Sequence, residues 1–261
     1  MTKKLVRWSE LWLLRFHPDK CIYMNIGKQI LLDERTYSMG DHILNKSPCE
    51  KDIGVFIDEN LNFEKHIHYA VKKANKIVAI IRKTFDHMDA DIFKQLFKSL
   101  VRPHLEYGAP VWSPHTIKNK ELIENVQRRA TKTIPGFSNL SYPERLRKLK
   151  LPTLAYRRIR GDMIQVYKLV SGGYDESLKP LLKPSTTNLR GHEKKLYVRG
   201  NNKDVRKYNF SLRVERIWNS LPEEVIKSKD VISFEKSLDN HWGDQEIMYD
   251  NFKAEIKLST H

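Results

Sequence analysis

Cysteine is almost missing from this chain. Cys21 and Cys49 are the only two in 261 residues, too few for a disulfide framework and, without histidines at suitable spacing, for a four-ligand zinc site. Long apolar runs are missing too: none approaches the ~20 residues that span a bilayer, and no signal peptide opens the chain. Low cysteine use and these absences predict an intracellular protein, cytoplasmic or nuclear, with no membrane partner. Enzyme signatures are equally scarce, since no phosphate-binding Walker loop, G-x-S-x-G elbow or H-E-x-x-H helix occurs. His66 and His68 stand two apart and so face different sides of a helix. Asp86, Asp89 and Asp91 span a predicted helix junction, where acids favour the N-terminus of the next helix rather than a shared metal ion.

Positive charge is what the chain has in excess. Lysine and arginine number 47 against 32 acids, a net charge of +15, while 40% hydrophobic residues are enough for a folded core. A folded, strongly basic protein most plausibly meets a polyanion. The surplus is uneven. Residues 118–168 hold thirteen basic residues against Glu121, Glu124, Glu144 and Asp162. Three strings supply most of it: "QRRATK" (127–132), "RLRKLK" (145–150) and "YRRIR" (156–160). Arginines so placed can grip phosphates bidentately while nearby aromatics stack on bases.

Periodicity places these strings on helices. Leu5, Trp8, Leu11, Trp12 and Phe16 form a helical stripe that Pro18 stops. Short strands are predicted at 20–27, 36–40 and 52–58. From residue 61 the period becomes helical, and Phe63, Ile67, Ala70, Val71, Ala74, Ile77, Val78, Ile81 and Phe85 make one apolar face over 62–85. Lys65, Lys72, Lys73, Lys76 and Lys83 fall largely on the rest. Further helices are predicted at 90–101, ended or kinked by Pro103, and at 121–134, closed by Pro135 and Gly136. Another starts at a Ser141–Glu144 capping box, and the next runs from a Thr153 cap to Gly172. Residues 174–209 read as basic loop, 210–222 and 231–242 as short amphipathic helices, and the last fifteen or so as a frayed tail. In "LVRPHLEYGAPVWSP" (100–114) the prolines and Gly108 force a rigid corner, where Tyr107 and Trp112 are expected to pack and Arg102 to touch phosphate. The fold class expected is α+β and mostly α, a small stranded start followed by a helical body.

Seven strings in order, from Trp8 to Trp242, resemble the carboxy-terminal part of LINE-type, jockey-like non-LTR retrotransposon reverse transcriptases. They include "WSELWLLRFHPDKCIYMNIG", "EKDIGVFIDENLNFEKHI", "SYPERLRKLKLPTLAYRRIRGDMIQVYK" and "FSLRVERIWNSLPEEVI". The resemblance implies a palm remnant of hairpin or three-strand form over 1–60 and thumb helices over 61–136. A basic helical region over 137–245 and a tail over 246–261 follow. It makes Lys20, in "HPDKC", the counterpart of a palm lysine proposed to assist the leaving pyrophosphate. Gly54 and Val55 lie in "DIGV" (52–55), which matches the strand turn with which the family grips the primer end. The family's catalytic aspartates lie upstream of the matching region, and no Asp–Asp pair occurs here. This chain is therefore expected to hold no catalytic residue set and no cofactor, Mg²⁺ belonging only to the complete family enzyme.

The expected function is binding of template RNA or RNA–DNA duplex by a reverse transcriptase fragment inactive by itself. The residues assigned to it are Gly54, Val55, Lys72, Lys73, Arg102, Arg128, Arg129, Lys132, Arg145, Arg147, Arg157, Arg158 and Arg160. The missing fingers and palm would be a partner. Two alternatives stand beside this reading: part of an active RNA-directed DNA polymerase whose catalytic region lies upstream, and a host-recruited protein-interaction module.

Overall fold

Short strands cut by turns open the chain, and capped helices follow, so the fold is α+β and mostly α. The computed structural model describes residues 2–27, 36–85, 87–172, 182–186, 191–198 and 208–258. The chain divides into two compact units, Met1–His66 and Ile67–His261.

In the first unit helix α1 (Thr2–Leu11) ends earlier than its apolar stripe suggests, and Leu13 sits in the left-handed region. Strand β1 (Ile22–Tyr23) pairs in parallel with β4 (Asn45–Lys46), and β2 (Ser38–Met39) pairs antiparallel with β3 (His42–Ile43). The strand expected over 52–58 is instead one arm and the turn of a hairpin. Strand β5 (Cys49–Asp52) folds back on β6 (Val55–Asp58), with Asp52 opposite Val55. The two turn residues, Ile53 and Gly54, both have positive φ (41° and 84°), which matches the twist of the flanking strands. Glycine takes that conformation freely, whereas β-branched Ile53 is strained in it.

Among the described residues each sheet has two strands, an arrangement that gains little independent stability. Leu44 and Val55 are the buried apolar side chains described in this unit, while Trp8, Leu11, Trp12, Leu13 and Leu14 are exposed. The unit ends on a built junction. Asp58 accepts backbone hydrogen bonds from Asn60, Asn62 and Phe63, and the Nδ1 of His66 accepts one from the N–H of Phe56 at 3.3 Å.

Helix α2 (Glu64–Thr84) presents the predicted stripe, burying Ile67, Ala70, Val71, Ala74 and Ile81. Asp89 caps α3 (Ala90–Leu96) by accepting from the N–H groups of Asp91 and Ile92. Pro103 does not end the helical path. A π-turn over Phe97–Val101 leads into α4 (Arg102–Glu106), and the N–H of Arg102 reaches back five residues to the carbonyl of Phe97. Proline lacks an N–H and crowds the carbonyl four residues earlier; the wider turn accommodates both. After Gly108, at φ 65°, a short α5 (Ala109–Trp112) completes the corner. Trp112 is buried and donates its Nε1–H to the carbonyl of Tyr107 at 2.7 Å. Tyr107, expected to pack, is 55% exposed, because only its carbonyl is turned inward to meet the indole.

Helix α6 (Ile117–Thr131) begins four residues before the sequence pattern suggests, at a Thr116 cap. The Ser141–Glu144 capping box opens α7 (Tyr142–Leu149), and Thr153 caps α8 (Leu154–Val170). Helices α9 (Phe210–Asn219), α10 (Glu223–Ile226), α11 (Val231–His241) and α12 (Glu246–Tyr249) follow. They close a core with α8 around Met163, Val166, Trp218, Phe234, Leu238 and Trp242. Much of the 174–209 loop lies outside the described residues. Within the rest, Pro184 bridges Leu196, and Trp218 donates to the carbonyl of Lys194.

The expected frayed tail is packed. Ile247, Phe252 and Ile256 are buried, and Thr153 bonds the carbonyls of Ile247 and Met248 through its hydroxyl and its N–H. Three apolar anchors in a short stretch outweigh the ordering cost that usually leaves termini loose.

Deleting residues 246–261 should lower stability by about 5 kcal/mol, three buried apolar side chains at ~1.5–3 kcal/mol each; urea unfolding reads it. Burial, with the charge of Lys51, holds the His66 imidazole below its ordinary 6.5. The unfolded chain then takes up that proton at higher pH than the folded one. His66 should therefore cost stability as pH falls below about 6.5 and contribute no pH dependence above it. Melting curves between pH 7.5 and 5 should show a drop that His66→Asn reduces.

Candidate nucleic-acid interface

The three basic strings do not form one surface. A charge withdrawn from water has to meet an opposite charge or a set of acceptors, and much of the arginine surplus is matched inside the fold.

In "YRRIR", Arg157 forms a two-point ion pair with Glu106, its Nη2 3.0 Å from Oε2. Glu106 is shared with Arg102, 3.7 Å away. Arg160 grips Asp239 through Nε at 2.5 Å and Nη2 at 2.8 Å, and also reaches Glu235 at 3.2 Å. The Asp239 hydrogen bonds hold its guanidinium in the charged form more firmly than usual. Arg158 is buried, and burial, the largest influence on it, disfavours its charge. In "RLRKLK", Arg145 is buried and donates to the Thr131 hydroxyl and to the carbonyls of Leu140 and Arg128. Arg147 pairs with Asp250. Arg145 and Arg158, expected on the nucleic-acid face, are thus interior residues. Arg157, Arg160 and Arg147 are committed to carboxylates that come from distant parts of the chain.

"QRRATK" divides differently. Gln127 is buried and donates to Tyr142 and to the carbonyl of Pro152. Arg128 lies over the rings of Tyr142 and Phe252 and donates to Asn125. Arg129 and Lys132 are exposed. One turn earlier on α6, Glu124 is fully buried. It accepts from the Tyr142 hydroxyl at 2.5 Å and from the N–H of Leu154 at 3.0 Å. Burial pushes its carboxyl up, against those hydrogen bonds and the charge of Arg158. Tyr142 rises well above its ordinary value, through burial first and Glu124 second.

Among the remaining expected positions, Lys20 is exposed at the end of a 3₁₀ turn, Pro18–Lys20. Gly54 is exposed at the hairpin turn, while Val55 beside it is buried. Asp89 and Asp91 serve the start of α3, as a cap and as the partner of Lys94 at 2.8 Å; Asp86 lies outside the described residues. No three His, Cys, Asp or Glu side chains converge to hold a metal ion among the described residues. Nor is any described helix long and apolar enough to cross a membrane.

Besides Arg129 and Lys132, two further exposed cationic features stand out among the described residues. On α2, Lys72, Lys76 and Lys83 fall within about 40° of one another at 100° per residue, and span ~16 Å at 1.5 Å per residue. All three are exposed, on the side opposite buried Ile67, Ala74 and Ile81. Lys73 is exposed beside this row, its ammonium over the Tyr69 ring. The second feature lies on the π-turn, at Lys98. Partial burial, and the charges of Arg102, Lys94 and Arg157, lower the pKa of exposed Lys98. Lys76, Lys83 and Lys98 were not among the assigned residues, although the 72–76–83 spacing was readable on a helical wheel.

A curated Caenorhabditis elegans protein, itself described only as uncharacterized, is 26% identical over 126 residues. The match covers 47% of this chain and 64% of that protein. No known family's sequence profile matches the chain, and no solved structure does.

Glu124→Ala should cost about 3–5 kcal/mol, since it strands the Tyr142 hydroxyl, the Leu154 N–H and the charge of Arg158. Arg129→Ala, at an exposed position, should stay within about 0.5 kcal/mol. Parallel urea titrations compare the two.

Proposed function

We propose that this chain is a nucleic-acid-binding portion of a LINE-type reverse transcriptase and holds RNA or RNA–DNA duplex on the exposed lysine row of α2. The observation that carries the reading is that row: Lys72, Lys76 and Lys83, aligned on the face opposite the core and joined by exposed Lys73. Lysines on an open helix face meet phosphates as mobile point charges, which suits binding without sequence preference. Arg129, Lys132, Lys98 and Arg102 add positive potential in the same unit. Gly54, exposed at the hairpin turn, would lie near a primer end in this reading. The chain by itself supplies no set of catalytic carboxylates in this reading, so purified protein with Mg²⁺ should not extend a primer.

One further observation favours a protein partner as well. The exposed Trp8, Leu11, Trp12, Leu13 and Leu14 of the first unit and its short open sheets fit a surface that docks on the rest of a polymerase.

Fluorescence anisotropy with a labelled RNA–DNA duplex at 50 to 300 mM salt tests the binding proposal. Affinity should fall steeply with salt. Replacing Lys72, Lys76 and Lys83 by alanine should flatten the log–log slope by roughly 2–3 units, at 0.7–0.9 per phosphate contact. The triple variant should keep its melting temperature. Wild-type affinity that is absent at 50 mM salt, or an unchanged slope in the variant, would overturn it.

A further inference from the structure

One arginine of the proline-rich corner is held in place without being satisfied. Arg102 follows the π-turn directly, and only 19% of its side chain is exposed. A guanidinium so far withdrawn from water ordinarily donates several hydrogen bonds. Among the described residues the Arg102 side chain donates none, and its one ionic contact is Nε to Glu106 Oε2 at 3.7 Å. Its nitrogens nevertheless keep accessible surface, in contrast to the sealed Nη1 of Arg158.

Glu106 does not neutralise Arg102 fully. Arg157 grips both oxygens of that carboxylate, through Nε and through Nη2 at 3.0 Å. Burial, then the charge of Arg157, disfavours the charged form of Arg102, and Glu106 offsets this only in part.

Lys98 stands four residues earlier, on the same side of the helical path. It is exposed and forms no ion pair among the described residues. The other carboxylates nearby are engaged: Asp91 by Lys94 at 2.8 Å, and Asp239 and Glu235 by Arg160. Lys98, Arg102 and Arg157 thus share one carboxylate, that of Glu106. Turns of the π type recur at functional sites, and this one sets Arg102 beside its anchor.

We infer that Arg102 is a fixed two-point ligand for one backbone phosphate of a bound strand, with Lys98 as its second cation and Glu106 and Arg157 as positioning residues. The inference rests on the proposal that this chain binds RNA or RNA–DNA duplex. It adds a point where the strand is held by geometry and not by diffuse charge. The Nε edge of the guanidinium faces Glu106. The Nη1–Nη2 edge is left for the two unesterified oxygens of a phosphodiester.

Anisotropy with the labelled RNA–DNA duplex separates a positioned ligand from diffuse charge. Arg102→Lys keeps the charge and should still weaken binding roughly fivefold or more, because a lysine offers no fork. Glu106→Gln raises the net charge by one, so diffuse attraction predicts tighter binding. A positioning role predicts the opposite, a loss of roughly threefold or more as Arg102 loses its orientation. Melting curves of both variants run in parallel. A purely structural role would lower the melting temperature and leave the affinity of the folded protein unchanged. If Glu106→Gln does not fold, Arg102→Lys carries the test alone. Unchanged affinity in Arg102→Lys, or tighter binding by folded Glu106→Gln, would overturn this inference and leave the α2 lysine row standing. Wild-type protein that fails to bind the duplex at 50 mM salt would overturn both.

Discussion

Helix α8 carries three arginines and an aspartate in six residues, Arg157, Arg158, Arg160 and Asp162, and packs in the middle of the larger unit. Removing those charges from water would be prohibitive without matched partners. The partners come from every direction. Glu106 arrives on α4, Asp239 and Glu235 on α11, and Arg213 on α9. A helix that needs three neighbours to neutralise it constrains their registers more tightly than apolar contact alone, because an ion pair tolerates little displacement. Arg213 extends the constraint to the proline-rich corner by donating to the carbonyl of Pro110 at 2.9 Å.

That corner has a structural purpose of its own. Pro103 would break an ordinary helix, yet the π-turn before it keeps α3 and α4 on one path, which brings Arg102 and Glu106 to Arg157. Trp112, pinned to the Tyr107 carbonyl, fixes the exit. The packed segment after residue 246 supports α8 at its other end, where Thr153 both caps the helix and donates to the Ile247 carbonyl. Among the described residues of the first unit no comparable constraint exists. Its two-stranded sheets and outward-facing tryptophans leave its stability to whatever covers them.

The same accounting of charges separates two kinds of basic residue. Lysines on α2 face open solvent, and their positive potential is available to a polyanion. Arginines on α8 are withdrawn into the fold: Arg157 and Arg160 are paired with carboxylates, and Arg158 is buried. A single reading of net charge merges these roles, although one is a surface property and the other an internal one.

Much of the helical framework was legible in the sequence because it is local. The Ser141–Glu144 box, the Thr153 cap and the 3.6-residue stripe each depend on residues within a few positions of one another; the two caps stand as read and the stripe stands from Ile67 to Ile81, while Phe63 precedes the helix and Phe85 is exposed. The lysine row was legible for the same reason. Local pattern did not reveal which way the basic strings face. Arg157 meets a carboxylate 51 residues away, Arg160 one 79 residues away and Arg147 one 103 residues away. No periodicity marks such pairs. Periodicity read 52–58 as one strand and missed the turn at Ile53–Gly54, because an isoleucine at positive φ contradicts its own preference; the family resemblance had a strand turn at "DIGV". The carboxy-terminal anchors were hidden because three apolar residues in a polar tail carry no period. The sequence by itself determined where α7 and α8 begin, which face of α2 is apolar and how much positive charge the chain carries. Only the tertiary structure decided which charges remain available to a ligand, because burial and ion pairing depend on residues that the fold, and not the chain order, makes neighbours.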